Sequence, residues 1–142
     1  MEIRKMSLLD LDKISNELKN FDDFWTVNIF KTELNNPNCH YVVVIDNNKI
    51  IGFGGISIVL DEANLNNIAV RIDKRNNKIG SLILKNLIDL SKSLGSTFMT
   101  LEVNVNNINA IKLYEKFGFK NLGFRKNYYN GNTNAYIMTL KL

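Results

Sequence analysis

The 142-residue chain is poor in the residues that most often build special sites. A single cysteine, Cys39, excludes an internal disulfide framework, and a single histidine, His40, leaves no zinc-ligand spacing, so no metal is expected. Without disulfides the default setting is a reduced, cytoplasmic one. Cys39 precedes an apolar strand with only His40 beside it. Strand neighbours point to opposite faces, so the pattern favours a buried or incidental thiol over a nucleophile. The longest apolar runs, such as residues 41–45, are too short to span a bilayer. The first five residues offer no apolar leader region, so neither a membrane segment nor a signal peptide is expected. Charge is not concentrated either. The net charge of +4 is spread along the chain with no block of one sign and no basic stripe with interleaved aromatics. That argues against a dedicated nucleic-acid surface, and the modest charge suits a small polyanionic ligand or weak attraction to nucleic acid.

What remains is the composition of one domain. The length allows a real core without staples, and the 45% apolar content with eight Phe and five Tyr excludes disorder. Asparagine recurs in runs (Asn35-Asn36, Asn47-Asn48, Asn106-Asn107), which reads as biased composition. No repeat, linker or composition break divides residues 1–142.

Taken in order, residues 2–6 alternate as a short strand. Ser7, with Asp10 three residues on, offers a capping box to a helix with Leu8, Leu11, Ile14 and Leu18 on one face, ending near Asn20. Asp22, Asp23 and Trp25 interrupt the pattern, and Thr26 can cap a second helix, with Ile29, Phe30 and Leu34 inward, that stops before Pro37. Trp25 is either a core anchor for this helix pair or a wall of a substrate groove. Residues 39–46 and 49–60 form a hairpin across Asn47-Asn48. Gly52, Gly54 and Gly55 inside its second strand suggest a bulge or the close approach of another backbone. After a turn at Asp61-Glu62, residues 63–71 make a fourth strand. Ile79, Leu82, Ile83, Leu87, Leu90 and Leu94 recur at helical spacing up to Gly95. Residues 97–105 form a fifth strand, and Asn107 caps a helix closed by Gly118. Residues 119–129 and 134–142 form a last hairpin across Asn130-Gly131-Asn132. The whole is a single α/β (α+β) domain with a mixed sheet.

The chain is organised in sequence around residues 64–81: a strand, a basic loop and the first turn of a helix. Successive amides there can point at phosphate oxygens, the helix dipole adds positive charge, and Arg71, Lys74, Arg75 and Lys78 strengthen the field. Alone, such a junction is as readily a solvated turn. The specific signal lies downstream. Asn107-x-x-Ala110-x-x-Leu113-Tyr114-x-x-x-Gly118-Phe119, together with the strand–loop–helix before it, resembles the signature of the GNAT superfamily of acetyl-CoA-dependent N-acetyltransferases. Leu60-Asp-Glu-Ala63, Asn67-Ile-Ala-Val70, Leu101-Glu-Val103, Asn127-Tyr-Tyr-Asn130 and Ala135-Tyr-Ile-Met138 are similar to its RimI group, the bacterial ribosomal-protein-alanine N-acetyltransferases.

The resemblance implies a central mixed, mostly antiparallel sheet of about seven strands flanked by about four helices. It implies acetyl-CoA as co-substrate, and as partner the N-terminal alanine amine of a small-subunit ribosomal protein, the enzyme being a monomer or weak dimer. By resemblance Glu102 is the proton acceptor and Tyr114 the proton donor. Glu102 points away from Leu101 and Val103, and a free α-amine, with a pKa of about 7.7–8.0, needs only a modest base. Ile68, Ala69 and Val70 would line the acetyl end and bind the thioester oxygen through their amides. Arg75, Asn76, Asn77, Lys78, Ile79, Gly80 and Ser81 would bind pyrophosphate, and Asn107 would touch the pantetheine arm. Trp25, Tyr128 and Tyr129 would flank the acceptor. One departure stands out: Lys78 occupies the first glycine position of the family loop. Either the loop avoids a left-handed conformation there, or coenzyme binding is weaker and partly repaired by the lysine charge. Two other readings follow the same residues: a related enzyme acting on a small-molecule amine or a lysine side chain, and a non-catalytic acetyl-CoA sensor.

Overall fold

The computed structural model describes residues 1–21, 32–129 and 133–142. Seven strands form one sheet in the order β1-β2-β3-β4-β5-β7-β6. They are β1 (Glu2–Lys5), β2 (Cys39–Asp46), β3 (Lys49–Val59), β4 (Glu62–Val70), β5 (Phe98–Asn104), β6 (Lys120–Tyr129) and β7 (Thr133–Lys141). All neighbours are antiparallel except β4 and β5. Helix α1 (Leu8–Ser15) covers one face; α2 (Ile79–Ser93) and α3 (Ile108–Lys116) cover the other. Residues 32–34 are also helical, which agrees with the expected stop before Pro37. The expected N-cap Thr26 and the inward Ile29 and Phe30 lie outside the described residues, as does the turn 130–132. Among the described residues no helix is long and apolar enough to cross a membrane.

The local signals act as their chemistry dictates. Ser7 Oγ accepts from the Asp10 amide while the Asp10 carboxylate accepts from the Ser7 amide, closing the capping box. Arg4 grips the same carboxylate from β1 with two hydrogen bonds of 2.7 and 2.9 Å and holds its pKa down at about 2. Helix α1 is shorter than its apolar spacing predicts: Leu11 and Ile14 are buried, Leu8 is exposed, and Leu18 falls in a separate 3₁₀ turn, Leu18–Asn20. Asn47 and Asn48, at φ 50° and 62°, make the β2–β3 turn that asparagine tolerates. The turn after β3 lies one residue earlier than expected, at Leu60-Asp61.

The glycines of β3 serve close approach. A Cβ on Gly54 would stand 2.7 Å from Ile83 of α2 and 2.9 Å from the Asn67 carbonyl, so these glycines let α2 lie directly on the sheet. On the other face, a Cβ on Gly55 would stand 2.5 Å from the Tyr41 ring. Tyr41 is buried, and its hydroxyl, donating to the Glu33 carboxylate, anchors it. The ring therefore cannot step aside. Gly55→Ala should destabilise the fold by about 1–3 kcal/mol, read as a lower denaturation midpoint at unchanged m-value.

Candidate active site

The parallel neighbours β4 and β5 pair only at their beginnings: Glu62↔Phe98, Ala63↔Met99 and Asn64↔Thr100. Beyond that point β5 stays with β7 as far as Asn104↔Ala135, while β4 stays with β3 as far as Gly52↔Val70. A register shift between Gly55 and Ile56 inserts Asn66 as an extra residue into β4. A bulge bends its strand, and here it turns β4 away from β5. The sheet thus opens into a cleft at the C-terminal ends of two parallel strands.

The register decides which backbone groups line this cleft. Arg71 donates its amide to the Ile51 carbonyl at 2.9 Å. Bonding direction alternates along an antiparallel pair, so Ala69 bonds toward β3, and the amides of Ile68 and Val70 face β5. Of the three expected residues, Ile68 and Val70 therefore offer N–H groups to the cleft.

At the end of β4 the chain passes through the 3₁₀ turn Ile72–Lys74 and enters α2 at Lys78. Lys78 is left-handed, with φ 63° and ψ 20°, and Asn76 has φ 65°. The loop does not avoid the conformation that glycine would accept freely. Lys78 makes no side-chain cap, and the first turn of α2 carries no carboxylate, so the helix itself supplies no anion to its N-terminal amides. Ile79 is buried in the core, leaving only its backbone to a ligand. The side chains around it stiffen the loop. Asn77 donates to the carbonyls of Lys74 and Arg75 at 3.1 and 3.2 Å. Arg75 donates to the Val70 carbonyl at 3.2 Å and the Phe21 carbonyl at 3.1 Å. Arg71 contributes less field than its charge suggests, because it pairs with Asp73 at 3.1 Å and Glu17 at 3.5 Å.

The left-handed Lys78 yields a sharp expectation. A Cβ there costs about 1–2 kcal/mol, and glycine restores roughly 0.4–1 kcal/mol of unfolded-chain entropy, so relief outweighs loss. Lys78→Gly should raise the melting temperature slightly and keep or tighten coenzyme affinity. A large loss of affinity by calorimetry would make the lysine charge itself a ligand.

Glu102 and Tyr114 lie on opposite faces of the sheet. Leu101 and Val103 pack with α2 and α3, so Glu102 points to the α1 face, where its side chain is 26% exposed. Tyr114 is buried in the core on the α2–α3 face, its ring 5.7 Å from that of Phe119. The cleft between β4 and β5 joins the two faces. Asn107 caps α3, its Oδ1 accepting from the Ala110 amide at 3.3 Å, and remains exposed. Trp25 lies outside the described residues. Tyr128 and Tyr129 are on β6, at the hairpin end beyond β7, with their side chains outside the described set. Sequence reading missed Arg125, whose Nη1 lies 3.4 Å from Glu102 Oε2. No local pattern signals it, since the contact crosses from β6 over β7. Among the described residues, no three His, Cys, Asp or Glu side chains gather as a metal site.

Residues 6–119 match the family model described as "Acetyltransferase (GNAT) family". The [ribosomal protein bS18]-alanine N-acetyltransferase of Haemophilus influenzae is 41% identical over 119 residues, covering 80% of this chain and 81% of that protein. The crystal structure of the ribosomal-protein-S18-alanine N-acetyltransferase from Escherichia coli superposes with a TM-score of 0.90 at 32% identity, covering 99% of this chain and 92% of that one. An aminoglycoside 6′-N-acetyltransferase complexed with coenzyme A superposes at 0.84 and 18% identity, covering 99% and 97% of the two chains, a likeness of fold alone.

Proposed function

The chain belongs to the acetyltransferase (GNAT) family and is an N-acetyltransferase, and from that premise we propose that it transfers acetyl from acetyl-CoA to the N-terminal alanine amine of a small-subunit ribosomal protein. The observation that carries the chemistry is the cleft between β4 and β5, with Glu102 on one face and Tyr114 on the other. The residues present fit the coenzyme. The uncapped amides of Lys78, Ile79, Gly80 and Ser81, with those of Asn76 and Asn77 before them, suit a pyrophosphate; the amides of Ile68 and Val70 suit a carbonyl oxygen gathering charge.

When bound, the coenzyme supplies acetyl as a thioester. Glu102 accepts the proton that the α-ammonium must lose, through water, so that the amine nitrogen can attack the carbonyl carbon. Ile68 and Val70 donate to the oxygen as the C–N bond forms. Tyr114 gives a proton to the sulfur as the C–S bond breaks, and the second proton that the nitrogen sheds on becoming an amide restores the phenol. No covalent enzyme intermediate is needed, because the cleft holds both partners at once.

The fold by itself does not choose the acceptor, since it also serves aminoglycoside acetylation. The choice of a protein N-terminus rests on the relatives, which are named for the alanine of ribosomal protein bS18 or S18. The experiment incubates the protein with acetyl-CoA and peptides copied from ribosomal-protein N-termini, and reads the products by tandem mass spectrometry. Acetyl on the α-amine of alanine-first peptides is expected. Acetyl confined to small amines or lysine side chains, with no α-amine product, would sink the proposal.

A further inference from the structure

Glu102 Oε2 is shielded from solvent and makes no hydrogen bond among the described residues, yet the Arg125 guanidinium stands 3.4 Å from it. A carboxylate oxygen removed from water needs a charge or a donor nearby, and Arg125 supplies the charge. The register explains how an arginine two strands away reaches it. Glu102 faces Ile137 of β7, Ile137 faces Gly123 of β6, and Arg125 faces Ala135. Ala135 is fully buried and offers only a methyl group, and Gly123 offers nothing, so the arginine stem has a clear diagonal path across β7.

We propose that Arg125 is a positioning residue for acetyl transfer: it fixes the Glu102 carboxylate at the mouth of the cleft and ties it to the β6–β7 hairpin. The inference rests on the reading of Glu102 as base. An unanchored glutamate has three rotatable side-chain bonds, and misplacing a catalytic group by an ångström is enough to cost orders of magnitude in rate. The arginine is 53% exposed, so the pair contributes little to stability and its removal leaves the fold standing. β6 also carries Tyr128 and Tyr129 at its far end, so the same strand that holds the base runs on into the segment expected to flank the acceptor.

The test is a double-mutant cycle in single-turnover and steady-state assays with an alanine-first peptide. Arg125→Ala should lower kcat by about 10-fold with the KM for acetyl-CoA unchanged. Arg125→Lys, which restores the charge without the planar fork, should recover part of that loss. Arg125→Ala placed on top of Glu102→Gln should change the rate by less than about 2-fold, because an interaction already removed cannot be removed again. If Arg125→Ala leaves kcat at the wild-type value, or slows Glu102→Gln as much as it slows the parent, the proposal is overturned. The Glu102→Gln single variant separates the two readings: wild-type kcat there removes the base assignment itself, whatever Arg125 does.

Discussion

Replacing Glu102 with glutamine is expected to lower kcat/KM for peptide acetylation by about 10²–10⁴-fold and to leave coenzyme affinity unchanged. Glutamine keeps the size and polarity of the side chain but cannot take a proton. Glu102 lies on the α1 face, away from the core that packs against α2 and α3, so the substitution disturbs no packing there. Loss of the Arg125 ion pair costs little stability, since one partner is half exposed. A rate loss with intact coenzyme binding would place Glu102 in chemistry; unaltered turnover would remove the base assignment from this carboxylate.

Tyr114→Phe is expected to lower kcat by about 10²-fold while KM for the peptide stays near its original value. The ring is buried, packs on Phe119, and is kept by the substitution, so only the hydroxyl is lost. Stability should fall by no more than about 1 kcal/mol, the typical net worth of a hydrogen bond. A drop in kcat without a matching drop in melting temperature separates proton donation from core packing. If stability falls steeply and the residual folded enzyme is fully active, Tyr114 is a core residue and nothing more.

Much of the fold is legible in the sequence because it depends on local rules. Ile79, Ile83 and Leu87 recur on one face and are buried together, Ser7 and Asp10 close their capping box, and Gly118 ends α3 at φ 98°. The β3 glycines suggest a bulge or a close approach; the close approach is present, while the bulge beside Gly55 puts its extra residue in the partner strand β4. What local rules do not carry is the consequence of that bulge. Asn66 looks like any other asparagine in an asparagine-rich chain, yet its insertion into β4 parts that strand from β5 and opens the cleft. The loop charges read differently in three dimensions as well. Arg71 is spent on Glu17 and Asp73, and Arg75 on two carbonyls, because each long side chain finds a partner brought near by folding. Lys78 sits in a backbone conformation that its own side chain disfavours, held there by the strand before it and the helix after it. Arg125 escapes notice for the same reason as the cleft: its contact exists only once β7 lies between β5 and β6.

For the amine to attack the thioester directly, this cleft should hold coenzyme and peptide N-terminus together. Calorimetry with a bisubstrate analogue, an alanine-first peptide joined through an acetyl bridge to the sulfur of coenzyme A, tests it most directly. Such a ligand, spanning both faces of the sheet, should bind at least about 10²-fold more tightly than coenzyme A alone. Affinity no greater than that of coenzyme A would contradict a site built for both at once.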